Sequence, residues 1–110
     1  MLEFKDFLKV DIRIGTILEV RDFPEARNPS YQLWVDFGAE IGMRKTSAQI
    51  TKRYSKNELV GKQVIAVVNF PPKQIAHFMS ECLILGAVGE DGDVILMQPE
   101  ARAIDGQRIA

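Results

Sequence analysis

Residues 11–23 read DIRIGTILEVRDF. Ile12, Ile14, Thr16, Leu18 and Val20 alternate with Arg13, Gly15, Ile17, Glu19 and Arg21. A period of two over this length predicts one long strand, with the set that starts at Ile12 facing a core. Gly15 within it marks a sharp bend or a bulge, as a small curled sheet requires.

Downstream, Pro24–Pro29 is a polar loop, and Leu33, Val35 and Phe37 alternate with Trp34 and Asp36 along a second strand. Gly38–Gly42 reads as a turn and Met43–Ala48 as a third strand. Over Ser47–Tyr54 the spacing predicts a short helix capped by Ser47 and carrying Ile50, Lys52 and Arg53. Gln63–Phe70 is β-branched-rich and reads as a buried strand that Pro71-Pro72 ends. Ser80–Val88 and Val94–Gln98 are two further strands around a turn at Gly89–Asp93. A helix inserted after the third strand of a five-stranded barrel is the OB-fold order. The expected architecture is therefore all-β: a five-stranded OB-fold barrel with a short helix between strands 3 and 4. A short N-terminal helix and a C-terminal extension complete it, in a single domain over residues 1–110.

Upstream, Phe4, Phe7 and Leu8 form one apolar stripe on a helix too short to stand alone. That stripe and the tail 99–110, which ends in Ile109-Ala110, lie outside the barrel strands. Residues 1–10 and 99–110 are the expected dimerisation elements, with Phe4, Phe7, Leu8 and Ile109 at a twofold interface.

The chain has 110 residues, 46% hydrophobic and 26% charged, with a net charge of −1. Those values fit one small globular domain that carries no global pull towards nucleic acid. The longest apolar runs are too short to span a membrane, and the acidic start lacks the basic flank of a secretion signal. A cytoplasmic location without membrane insertion is expected. Cys82 is the one cysteine, which leaves no internal disulfide and reads as a small core residue.

Catalysis needs a positioned nucleophile, base or metal. His77 is the one histidine, it lies among apolar residues, and no nearby carboxylate is placed to orient it. No metal-ligand spacing and no phosphate-binding glycine loop occur, and Glu90-Asp91-Gly92-Asp93 reads as a solvated hairpin tip. No enzyme activity and no cofactor are expected.

Two features carry binding chemistry. The stretch Arg44–Lys62 holds six cations, among them Arg44, Lys45, Lys52 and Arg53, against Glu58 alone. It is either a phosphate-binding face or an ordinary solvated one. The segment 69–83, NFPPKQIAHFMSECL, places Phe70, Ile75, Phe78 and Met79 around two prolines, more apolar bulk than a loop readily hides.

This segment is also where the chain resembles a known family. Asp11-Ile12-Arg13-Ile14-Gly15, Pro24-Glu25-Ala26, Ser47 to Tyr54 and Glu58-Leu59-Val60-Gly61-Lys62-Gln63-Val64 match spaced motifs of the tRNA-binding OB-fold domain. So do Asn69, Phe70, Pro72, Lys73, Ile75, Ser80, Glu81, Ile84, Leu85 and Gly86. The strings FPEAR, SAQITKRY, GKQVIAVVNFPP and GDVILMQP are similar to the CsaA group of export-related chaperones within that family. The resemblance implies an OB fold, a homodimer and binding of unfolded or presecretory polypeptides. Ala76, His77, Phe78 and Met79 replace the basic or glycine residues usual in tRNA-binding members, which favours a peptide surface over a phosphate surface. The expected peptide site is Phe70, Lys73, Ile75, Phe78, Met79, Ser80 and Glu81. The alternative is a tRNA site made of Arg44, Lys45, Lys52, Arg53, Asn69, Lys73 and Ser80.

Overall fold

A computed structural model describes residues 1–110. Five antiparallel strands curl into a nearly closed barrel of the OB-fold type. They are β1 (Ile12–Asp22), β2 (Tyr31–Asp36), β3 (Met43–Ala48), β4 (Gln63–Val67) and β7 (Leu83–Ile84), in the order β3-β2-β1-β4-β7. The last gap closes where Glu81 N–H donates to the Lys45 carbonyl and the Thr46 hydroxyl to the Cys82 carbonyl. Two hairpins extend the barrel: β5 (Lys73–Ile75) with β6 (Phe78–Ser80), and β8 (Gly86–Val88) with β9 (Val94–Leu96). Three short helices complete it: α1 (Phe4–Phe7), α2 (Gly38–Ile41) and α3 (Lys56–Leu59). No helix is long and apolar enough to cross a membrane.

The long strand is where alternation predicted it, but its faces are reversed over the first half. A bulge lies between Ile17, paired with Val35, and Glu19, paired with Trp34, so Leu18 is the extra residue and points out, 48% exposed. Gly15 and Ile17 face inward before the bulge and Val20 after it. Gly15 faces inward because Val35 and the Phe37 ring fill the space a side chain would need. Ile12, Ile14 and Thr16 therefore lie on the outer face, where the tail covers them. Gly106 and Ile109 N–H donate to the Ile14 and Ile12 carbonyls, and Ile14 N–H donates to Gln107. Thr16 donates to Asp105, and Gln63 exchanges hydrogen bonds with the Ala103 backbone. The tail thus takes the β1 edge that β2 leaves free.

The helix expected over 47–54 is corrected. Ser47 and Ala48 belong to β3, residues 51–53 form a turn, and the helix begins at Lys56. Ser55 is its cap: its hydroxyl accepts from Glu58 N–H while the Glu58 carboxylate accepts from Ser55 N–H. The strand expected over Ser80–Val88 is broken into three short pieces, because residues 80–82 turn to close the barrel against β3. The core is Ile17, Leu33, Val35, Phe37, Ile50, Leu59, Val64, Ala66, Val68, Cys82 and Leu96.

Candidate functional site

β4 ends at Val67, three residues short of the strand expected up to Phe70, and after Pro71-Pro72 the chain crosses the barrel mouth as the β5–β6 hairpin. This hairpin, the loop after β1 and the β8–β9 hairpin wall an open cleft of about 1060 Å³. Ala26, Arg27, Asn28 and Ser30 form one wall, and Phe70, Pro71, Lys73 and Ile75 another. Gly86, Val88 and Val94 form the third, over a floor that includes Ala48, Ile50, Cys82 and Leu96. Alternate residues of β5, β8 and β9 line it, as the period of a strand dictates. Twelve of the 22 lining residues are hydrophobic and none is acidic. Such a surface buries apolar groups and offers polar edges through Ser30, Ser47 and Ser80.

The expected peptide residues divide here. Phe70, Lys73, Ile75 and Ser80 line the cleft, and Phe70 is 56% exposed. Met79 is exposed outside it. Glu81 is held by β3, its carboxylate accepting from Lys45 N–H. Ser80 contributes through a hydroxyl bonded to Thr46 at 2.7 Å. Phe78 is a correction: expected as an exposed anchor, it is 7% exposed. Its ring packs on Phe23 at 5.4 Å and edge-on to Trp34 at 5.9 Å, with the Lys45 ammonium 5.1 Å from its centroid. Phe78 fastens the hairpin to the outside of β2 and to the end of β1, and so sets where Lys73 and Ile75 stand.

The expected RNA face is mostly occupied by the protein itself. Arg44 donates to the Val68 and Glu81 carbonyls. Lys52 and Arg53 lie in the turn before α3 rather than on a helix. Lys52 donates to the Asp91 carbonyl, and Arg53 makes a two-pronged pair with Asp93. That hydrogen bond holds the Asp93 carboxyl below its ordinary range. Asn69 links the α1 connection to β4, accepting from Asp11 N–H and donating to the Lys9 carbonyl. The Lys45 ammonium has only the Phe78 ring as a partner, and Lys73 has no partner at all. Sequence reasoning missed Arg27, a second unpartnered cation in the cleft wall. It stands next to the Pro24-Glu25-Ala26 motif, but nothing local places that loop opposite the hairpin.

The expected dimer residues lie at one end of β1. Phe4 and Leu8 are exposed, 73% and 54%, and Phe7 is half-buried with its ring 6.1 Å from Phe4. Ile109 is half-buried, its backbone paired to Ile12. His77 is exposed in the turn of the β5–β6 hairpin.

Comparison with known proteins places this geometry. Residues 12–108 match the family described as "Putative tRNA binding domain". The chain is 38% identical over 108 residues to a methionine–tRNA ligase of Porphyromonas gingivalis, covering 98% of this chain and 15% of that protein. It spans about 15% of the length of the curated relatives it matches. Two crystal structures superpose over 100% of this chain. One is chaperone CsaA from Bacillus anthracis, at 53% identity, TM-score 0.95 and 99% of that chain. The other is CsaA chaperone protein from Picrophilus torridus, at 52% identity, TM-score 0.94 and 100% of that chain.

Proposed function

The chain belongs to the tRNA-binding domain family, and from that premise we propose that it is a cytoplasmic chaperone that holds unfolded or presecretory polypeptides as a homodimer. The observation that carries this reading is the open apolar cleft, set beside a basic face whose cations are already engaged. The likeness to two CsaA chaperones over the whole chain supports it.

The mechanism is binding without covalent chemistry. An extended client lays apolar side chains over Phe70, Ile75 and the floor, and each anchor desolvated in this way contributes about 1–3 kcal/mol. Lys73 and Ser80 meet backbone carbonyls at the rim. Two clefts in a dimer engage separate stretches of one client, so weak sites gain avidity. A second reading, a tRNA-binding module, is favoured by the family match and by the unpaired Lys73.

The test is Phe70→Ser. The exposed ring can be removed without opening the core, so fold and dimer mass should persist while affinity for an unfolded polypeptide falls about tenfold. Unchanged peptide affinity, with bulk tRNA binding that falls steeply with salt, would establish the second reading.

A further inference from the structure

We infer that the cleft sorts unfolded segments by charge, taking apolar stretches that carry aspartate or glutamate and disfavouring those flanked by lysine or arginine. This rests on the polypeptide reading above and deepens it.

The chain has 14 lysines and arginines. Carboxylates hold Lys5, Lys9, Arg13, Arg21, Arg53 and Lys56. Backbone oxygens hold Arg44, Lys52 and Arg102, and Lys45 and Lys62 lie over aromatic rings. Arg27, Lys73 and Arg108 are left without a partner. Two of these three line the same cleft, from different walls. No carboxylate lines it, although the chain has 15 acidic residues to its 14 basic ones.

A cation beside apolar walls is less screened than one on an open surface, so its sign counts in what binds. An acidic client side chain gains a charge-assisted hydrogen bond there. A basic one meets repulsion and loses water without compensation. The tilted Phe23–Phe78 contact joins the loop of Arg27 to the hairpin of Lys73 and so keeps the two exposed cations on facing walls of one cleft. Phosphates would also answer two cations, but Phe70 is the one aromatic residue in the lining, and single strands are held on several stacked rings.

Three labelled peptides test this, with one apolar core flanked by glutamate, glutamine or lysine, titrated by anisotropy against the full chain. The glutamate peptide should bind about tenfold tighter than the lysine peptide, with glutamine between. The double variant Arg27→Glu with Lys73→Glu should reverse the order at unchanged circular dichroism. Equal affinity for all three peptides overturns the charge sorting and leaves the polypeptide reading standing. Binding of none overturns both. If single-stranded RNA binds, loses its affinity in the double variant and is not displaced by the glutamate peptide, the two cations serve phosphate and the inference falls.

Discussion

Gly106 packs its Cα against the backbone of Phe37, and a side chain at 106 would overlap the Phe37 carbonyl oxygen. Its φ of 91° is also one that other residues rarely adopt. This contact seats the tail on the barrel, beside the hydrogen bonds from Gly106 and Ile109 to β1. Gly106→Ala therefore combines backbone strain with a clash against a group that cannot move aside. It should cost about 2–3 kcal/mol, read as a lower urea midpoint, with faster amide exchange at Gln107 and Ile109.

Phe78 belongs to a small aromatic core outside the barrel. Removing it leaves a hole between Phe23 and Trp34. Phe78→Ala should destabilise the chain by about 3 kcal/mol. Trp34 is the one tryptophan, so its emission should shift to the red as water reaches the indole. A variant of native stability and unchanged emission would contradict this packing.

Cys82 lies at the cleft floor with its thiol pushed up to about 12, chiefly by burial. The unfolded thiol titrates near the ordinary thiol value of 9.0. Between those values the unfolded chain loses a proton that the folded chain keeps, so stability falls as pH rises from about 9 towards 12, by at most about 1.4 kcal/mol per pH unit. Cys82→Ala should remove that part of the slope. At pH 8 a thiol-alkylating reagent should label the folded protein far more slowly than the unfolded one.

Phe4 and Leu8 are apolar side chains that the single chain leaves in water. If they form a twofold interface, light scattering at micromolar concentration should give about twice the 12.4 kDa of one chain. Phe4→Ser with Leu8→Ser should return the mass to one chain at unchanged circular dichroism. A monomer from the native sequence would discard the interface.

The barrel was legible because alternation and proline placement are local signals: β1 to β4 lie where the periodicity put them. The face of β1 was not, since the bulge at Leu18 changes phase and the inward turn of Gly15 depends on Phe37, a contact between distant residues. Ser55 and Glu58 spell a capping box, yet Ser47 competed for the same helix. β3 took Ser47 because Gln32 pairs with it across the sheet. At the site, Phe70, Lys73 and Ile75 were legible as apolar and basic residues crowded around prolines. Phe78 and Arg27 were not, because Phe23 buries one and the facing hairpin gives the other its place.

The pairing of Ile109 with Ile12 has a consequence for how the protein is made. Synthesis runs from the N-terminus, and the β1 edge around Ile12 and Ile14 finds its partners only when residues 106–109 have left the ribosome. Until then the nascent chain presents an open strand edge next to isoleucines, a template for pairing with other chains. Contacts between residues far apart in sequence also form late and slowly. A domain proposed to hold unfinished polypeptides is thus itself exposed, until this last strand partner emerges, to the hazard from which it would shield its clients.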